Sequence, residues 1–134
     1  MNAAAPAEVE LLVTQIGPWL LGMDTRDIAR IERQTEAADE WRLEDIVGVD
    51  DERRPGEGRV LVLTGETQNE RAWVGAAVVA KRLPIDVLRP VPPLLRGCGA
   101  PPWWLGVAFP DAEAAVLLID LRQALRWLAA RREA

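Results

Sequence analysis

Residues 92–125, PPLLRGCGAPPWWLGVAFPDAEAAVLLIDLRQAL, decide the fold of this chain. They predict a strand over residues 104–109, a tight turn, and a second strand over residues 114–119. Asp120 then stands where a helix N-cap is expected, and the leucines of residues 121–132 share one helical face. The stretch therefore predicts a hairpin followed by a terminal helix, and it contains no catalytic motif.

The side chains that most enzymes use for acid–base and nucleophilic chemistry are nearly absent. The chain has no His, Ser or Tyr, one Cys and one Lys. Catalytic groupings that need His are therefore excluded, and a lone Cys forms neither a thiolate zinc site nor an internal disulfide. We predict no catalysis, no cofactor and no metal site, with a hydrolase built only from carboxylates as the remaining enzymatic alternative.

Length and composition predict one domain, residues 9–134, after a flexible N-terminus of residues 1–8. The net charge of −5 argues against nucleic acid as a partner. No apolar run is long enough for membrane insertion and no signal peptide precedes the domain, so we expect a cytoplasmic protein. Residues 1–58 carry most of the acids, either as ordinary solvated surface or as a feature that orients a protein partner.

The rest of the chain predicts a mainly β core. Residues 10–16 and 19–23 form an early hairpin around Gly17-Pro18, and residues 25–32, TRDIARIE, form a short early helix. Residues 59–63 and 72–79 form a second hairpin, in which Gly75 suggests a bulge or a close backbone approach.

The remaining segments are less regular. A helical turn is predicted over residues 43–47, ended by Gly48, and residues 50–58 form a polar loop. Four prolines keep residues 81–93 extended and irregular. The strongest strand signals predict that five apolar side chains are mostly buried: Leu61, Leu63, Val107, Val116 and Leu118.

The pair Trp103-Trp104 is the most attractive binding feature, because Trp is enriched at interface hot spots. Strand periodicity places one Trp in the core and the other at the surface, although both could cover the end of a barrel. We expect Cys98 to be a small buried side chain. We interpret the proline-rich segment 92–102 as a rigid connector between two barrels, with a polyproline ligand as the alternative.

Five stretches occur in the order found in the CheW-like domain family of bacterial chemosensory arrays, which the chain resembles over residues 9–128. They are LLVTQIGPWLLGMDTRDIARIER (11–33), RVLVL (59–63), WVGAAVVAKRL (73–83), WLGVAF (104–109) and VLLIDLRQAL (116–125).

The resemblance implies two SH3-like β-barrel subdomains and a non-catalytic adaptor. Members bind the regulatory domain of a CheA-type histidine kinase, and chemoreceptor tips, through sheet edges and an apolar groove between the barrels. The alternative is an interaction or assembly module outside ordinary chemotaxis, and a homo-oligomer is also open. The candidate protein-binding residues are Trp103, Trp104, Leu105, Val107, Leu12 and Trp41.

The chain departs from the family pattern in two places. Between the first helix and the middle strand the family carries a further strand pair, of which WRLEDIVGV (41–49) matches only the tail; Leu105 also stands where an Arg often precedes Gly. We therefore expect a truncated first barrel. Its early hairpin would have an open edge or an uncovered apolar face, closed by a second copy, by another protein or by the long loop.

Overall fold

The computed structural model describes residues 7–35, 40–48, 58–65, 70–110 and 114–133. Strands dominate this part of the chain: β1 (Glu8–Ile16), β2 (Trp19–Asp24), β3 (Ile28–Arg33), β4 (Trp41–Arg42), β5 (Arg59–Leu63), β6 (Arg71–Val74), β7 (Val78–Pro84), β8 (Leu88–Pro90), β9 (Trp104–Ala108) and β10 (Val116–Ile119). The α-helices are α1 (Leu43–Val47), α2 (Pro93–Gly97) and α3 (Leu121–Glu133), and the two 3-10 turns are Thr25–Asp27 and Ile85–Val87.

The strands form two sheets that follow one plan. The larger sheet has the order β7-β1-β2-β10-β9-β8 and the smaller has the order β3-β5-β6-β4. Each sheet contains an antiparallel hairpin, which is β1–β2 in the larger sheet and β5–β6 in the smaller. The second strand of each hairpin also pairs in parallel with a strand that leads into a helix, which is β10 in the larger sheet and β4 in the smaller. The two sheets correspond to the two predicted subdomains, which confirms the mainly β fold class.

The sheets also exchange strands. The chain leaves β2 through a 3-10 turn and enters β3, which pairs with β5 in the smaller sheet. It leaves β6 and enters β7, which pairs with β1 in the larger sheet over seven residues, from Glu8↔Pro84 to Thr14↔Val78. Each sheet therefore depends on a strand that follows the hairpin of the other.

Among the described residues, the smaller sheet has no counterparts of β8 and β9. Residues 34–40 are the whole connection between β3 and β4, whereas residues 85–115 connect β7 to β10. The short connection falls on the sheet of β3–β6, and the truncation of a barrel stays a prediction. The expectation that the early hairpin has an open edge is wrong, because β1 pairs with β7 and β2 pairs with β10.

The main core, here called the shared core, lies between the two sheets and α3. Side chains of both sheets meet there with one face of the terminal helix, and nearly all are fully buried: Leu12, Ile16, Leu21 and Met23 from the larger sheet, Leu61, Leu63, Ala72 and Val74 from the smaller, and Leu121, Leu125 and Leu128 from α3. This arrangement confirms the predicted apolar face of the helix. The Asp120 cap is also confirmed, since its Oδ1 accepts a hydrogen bond from the Gln123 amide at 3.1 Å.

A second, smaller cluster packs on the opposite face of the larger sheet. Its buried members are Leu11, Val13, Leu83, Ala108 and Val116. Successive residues of a strand point to opposite faces, so β1 buries Leu12 in the shared core and its neighbours Leu11 and Val13 in the second cluster. The early strand is thus buried on both sides.

The predicted early helix is wrong. Residues 25–27 make a single 3-10 turn, capped by Asp24, whose Oδ1 accepts a hydrogen bond from the Arg26 amide at 2.9 Å. Residues 28–33 are the strand β3, in which Ile31 pairs with Leu61 of β5. Pairing with a strand some thirty residues away along the chain overrides the local helical spacing of the isoleucines.

The predicted return strand over residues 72–79 is also divided. It ends at Val74, and the Gly75 amide donates a hydrogen bond to the buried Glu44 Oε1 at 2.8 Å. The chain then crosses to the larger sheet as β7. Gly75 therefore marks a crossing between sheets and not a bulge within one strand.

Other local predictions have mixed outcomes. The helical turn over residues 43–47 is confirmed and ends at Gly48, whose φ is 69°. The residues between 81 and 93 are mostly extended, as predicted. β1 begins at Glu8, and the Ala7 carbonyl accepts a hydrogen bond from the Ile85 amide at 2.9 Å, so these two residues belong to the folded part. Residues 1–6, most of the predicted loop 50–58, and the turn 111–113 lie outside the described residues.

The burial predictions hold for the five strand residues and fail at Cys98. Leu61, Leu63 and Val116 are buried, and Leu118 and Val107 are mostly buried with partial exposure. Cys98 is exposed, because it follows the short surface helix α2. The proline-rich segment connects β8 and β9, which are neighbours in the larger sheet, so it does not link two barrels.

We predict that Leu61→Ala lowers the free energy of unfolding by about 2–5 kcal/mol, because Leu61 is fully buried in the shared core. Leu118→Ala removes the same atoms from a partly exposed site at the second cluster and should cost less. Urea unfolding of both variants measures the difference. Equal losses would contradict the assignment of the two faces of the sheets.

A second prediction concerns Glu32, which bridges Arg30 at 2.8 Å and Arg71 at 2.5 Å. The hydrogen bond from Arg30 is the main cause that holds the pKa of this carboxyl below its ordinary value, with Arg71 adding to it and desolvation opposing it. A lowered pKa means that the ion pairs stabilise the fold above the unfolded-state pKa and that this contribution is lost as pH falls through the folded-state pKa. Glu32→Gln should therefore show a shallower fall of Tm than the unmodified chain below about pH 5. Parallel Tm curves for the two proteins would contradict this.

Candidate protein-binding site

A groove of about 370 Å³ opens on the larger sheet. Its residues come from β1, β2, β8, β9 and β10 and from the turn before β8: Val9, Leu11, Gly22, Asp24, Ile85, Leu88, Arg89, Pro90, Leu105, Gly106, Leu118 and Ile119. Leu11, Leu88 and Leu118 belong both to the groove and to the second cluster. The groove is therefore a place where that cluster reaches the surface.

Two glycines in strands help to shape the groove. A Cβ on Gly22 would lie 2.8 Å from the Val116 Cγ1, so β2 has no room for a side chain at this point. A Cβ on Gly106 would overlap the Arg89 carbonyl, because Pro90 of β8 pairs directly with Gly106 of β9. The bare backbone at these two positions lets neighbouring strands and side chains approach closely.

Exposed apolar side chains stand at the walls of the groove. Leu105 and Ile85 are each 51% exposed, although both are large and aliphatic. Exposed apolar surface of this kind, beside an apolar floor, is typical of surfaces that bind another protein. The groove is thus suited to accept apolar side chains of a partner.

The charged groups of the groove are already engaged within the chain. Asp24 forms an ion pair with Arg26 at 2.7 Å, and this hydrogen bond holds the pKa of the Asp24 carboxyl below its ordinary value against a smaller effect of burial. Arg89 donates to the carbonyl oxygens of Leu88, at 3.0 Å, and of Asp86. Nearby, burial raises the pKa of Asp27, and the Asp24 charge adds to that shift. Recognition in the groove therefore rests mainly on apolar contact.

Four tryptophans form a continuous aromatic cluster next to β9. Ring centroids are 6.5 Å apart for Trp19 and Trp104, 6.3 Å for Trp104 and Trp103, and 5.6 Å for Trp103 and Trp127. Exposure falls from 36% at Trp19 to 2% at Trp103, with Trp104 half-buried between them. This confirms that one member of the Trp103-Trp104 pair lies in the core and the other near the surface.

The structure separates the six residues predicted to bind a partner. Leu105 lines the groove, and Trp104 belongs to the aromatic cluster. Leu12 and Trp103 are buried in the shared core and pack there.

The other two are partly buried, and Trp41 also packs against the shared core. Val107 is half-buried and pairs with Arg89 and Leu117 across β9, and Trp41 is half-buried on the smaller sheet. A binding role at the accessible positions stays a prediction.

Sequence reasoning missed most of the groove. Ile85 and Leu88 follow Pro84 in a segment that was expected only to be irregular. The one signal that pointed there was the presence of glycine inside two predicted strands, at Gly22 and Gly106. Neither glycine indicates by itself which strand will be its neighbour. The groove could therefore be predicted only if the order of strands in the sheet were known.

Among the described residues, no group of three His, Cys, Asp or Glu side chains is placed to hold a metal ion. Within those ranges, too, none of the helices combines the length and the apolar character needed to cross a membrane.

Comparison with known proteins establishes the fold. No family model matches the chain, and no curated protein matches it. Among solved structures, the scaffolding protein TtCheW from Thermoanaerobacter tengcongensis is similar, with a TM-score of 0.59, 16% sequence identity and an alignment that covers 90% of each chain. The chain therefore has a CheW-like fold, which confirms the fold that the sequence resemblance implied.

Proposed function

We propose that this chain is a non-catalytic, cytoplasmic, CheW-like adaptor of a bacterial chemosensory complex, and that its groove binds the regulatory domain of a CheA-type histidine kinase or the tip of a chemoreceptor. The observation that carries the proposal is an exposed apolar groove on a fold shared with a scaffolding protein. The partners come from the family resemblance of the sequence.

The chemistry of the groove favours a protein over a small molecule. Its volume falls within the range of small-ligand pockets, but such pockets add a few polar groups that converge on the ligand. Here the two charged residues, Asp24 and Arg89, already bond to the chain itself. Each large aliphatic side chain that a partner buried against Leu105 and Ile85 would contribute about 1.5–3 kcal/mol through removal from water.

The same features support a role without catalysis. A general acid or base needs a titratable group aimed at a substrate, with a pKa close to the working pH. The carboxyl of Asp24 is held in its charged form by Arg26, and the groove offers no other acid among the residues that line it. With no His in the chain, we expect no turnover of substrate.

The prediction from this proposal concerns Leu105. Leu105→Asp places a charge on an exposed wall of the groove, so the fold should be retained while affinity for the kinase regulatory domain or the receptor tip falls at least about tenfold. Phe109→Asp is the matched control, because Phe109 is also 51% exposed and does not line the groove. Isothermal titration calorimetry measures both affinities, and circular dichroism checks the fold.

Three results would be informative. Loss of affinity in Leu105→Asp alone supports the groove as the binding surface. Equal loss in both variants, or in neither, contradicts it. If the unmodified chain binds neither the kinase domain nor the receptor tip of its own organism, the chemosensory proposal fails and an interaction module outside chemotaxis becomes the better description.

A further inference from the structure

We propose that the outer edge of β7 binds an extended segment of a partner protein as an added strand. The segment carries an acidic residue with an apolar residue two positions before it and another two positions after it. The inference goes beyond the proposed function, because it concerns a different surface and a different mode of binding from the groove. It is carried by the exposure of β7, by the direction of its peptide groups, and by the side chains on its two faces.

β7 is the longest of the four strands that end the two described sheets. It ends the larger sheet on the side opposite β8, and β3 and β4 end the smaller sheet. β7 has seven residues, β3 six, β8 three and β4 two. Four consecutive residues of β7, 79–82, are exposed. A long, exposed strand edge is a template for pairing with another strand.

A hydrogen bond just beyond the strand shows which peptide groups of β7 face β1. The Ile85 amide donates to the Ala7 carbonyl at 2.9 Å. In an antiparallel ladder, pairs of residues that are hydrogen-bonded alternate with pairs that are not. In steps of two back from Ile85, the residues of β7 that bond to β1 are therefore Leu83, Lys81 and Val79.

The residues between these turn their peptide groups to the outer edge. Ala80 and Arg82 each present an N–H donor and a C=O acceptor there. Pro84 has no N–H, so it ends the row of donors. Among the described strands, none pairs with this edge. An incoming strand therefore meets complete sets of main-chain groups at Ala80 and Arg82.

One face of β7 presents a single positive charge between two apolar side chains. Successive residues of a strand point to opposite faces, so Lys81 shares a face with Val79 and Leu83. Leu83 belongs to the second cluster, and Val79 is 53% exposed. Lys81, the only lysine of the chain, is exposed. A strand added to this edge would meet the ammonium group with an apolar side chain on either side of it.

On the other face of β7, the charged side chain already has a partner. Arg82 lies opposite Glu10 of β1, and its Nε is 3.3 Å from a carboxylate oxygen of Glu10. Val78 and Ala80 share this face and carry no charge. The charge that decides which strand is accepted is therefore that of Lys81, and opposite charges on neighbouring strands favour pairing.

These features specify the occupant. An acidic side chain opposite Lys81, with apolar side chains opposite Val79 and Leu83, satisfies this face in either strand direction. A second copy of the chain fits worse, because pairing two β7 edges brings the Lys81 and Arg82 charges of both copies together, and like charges oppose pairing. In this mode of binding the main-chain hydrogen bonds supply affinity and the alternate side chains supply specificity.

Three peptides of seven residues, capped at both ends, test the site by NMR of the isotopically labelled chain. The Glu peptide, Thr-Val-Thr-Glu-Thr-Val-Thr, places one carboxylate between two valines on the same face. The Lys peptide has lysine in place of the glutamate. The Pro peptide replaces the threonines on both sides of the glutamate with proline, which removes the N–H groups that would bond to Ala80 and Arg82.

We expect the Glu peptide to shift the amide signals of residues 79–83 and to bind at least about threefold more tightly than the Lys peptide. The Pro peptide should leave these signals unchanged. Lys81→Glu should reverse the preference between the two charged peptides. Arg33→Glu is the matched control, because Arg33 is an exposed base on the edge strand β3, and it should leave the preference unchanged.

A backbone variant tests the hydrogen bonds from the side of the chain. The Ala80 amide points to the outer edge, where proline is tolerated, so Ala80→Pro should retain Tm and lose binding of the Glu peptide. Should this variant fail to fold, the charge reversal at Lys81 still decides the question. Leu105→Asp should leave peptide binding unchanged, which separates a failure of this edge from a failure of the groove.

Several results would overturn the inference. They are absence of binding by the Glu peptide, equal affinity for the two charged peptides, a preference that survives Lys81→Glu, binding of the Pro peptide at the strength of the Glu peptide, and shifts confined to other strands. Shifts of residues 79–83 that depend on the concentration of the chain alone would assign the edge to a second copy and overturn it as well.

Discussion

The pairing of β1 with β7 is the constraint on which the rest of the structure depends. β7 follows the hairpin of the smaller sheet but completes the edge of the larger one, over seven residue pairs. β1 is buried on both faces, with Leu12 in the shared core and Leu11 in the second cluster below the groove. β7 follows β6 of the smaller sheet directly and pairs with β1 of the larger sheet. It therefore fixes the position of the groove relative to the smaller sheet.

The two sheets that this pairing joins differ in the number of their described strands, six in the larger and four in the smaller. Both are built on the same plan, and among the described residues the pair β8–β9 extends the larger sheet alone. On the larger sheet the pair supplies the exposed wall that carries Leu105. On the smaller sheet Trp73 occupies the equivalent face, tied to Gln34 of the shortened connection.

Local signals in the sequence predicted the structural features that depend on residues close together along the chain. The cap at Asp120 was predictable because a side chain bonds to an amide three residues away. The early helix was not, because Ile28 and Ile31 have helical spacing while β3 is fixed by pairing with β5. Of the six residues predicted to bind a partner, only Leu105 lines the groove. The other groove residues come from strands that are distant along the chain. Which of these strands become neighbours depends on the order of strands in the sheet, and hydrophobic periodicity does not predict that order.

Methyl NMR of the chain titrated with the kinase regulatory domain tests the central claim most directly, because it reports both faces in one sample. Binding at one groove predicts shifts of the methyl groups of Ile85, Leu105 and Leu118, with those of Val60 unchanged. Leu61, in the shared core between the sheets, serves as an internal reference. Comparable shifts at Val60, or shifts confined to the smaller sheet, would contradict binding at the groove of the larger sheet.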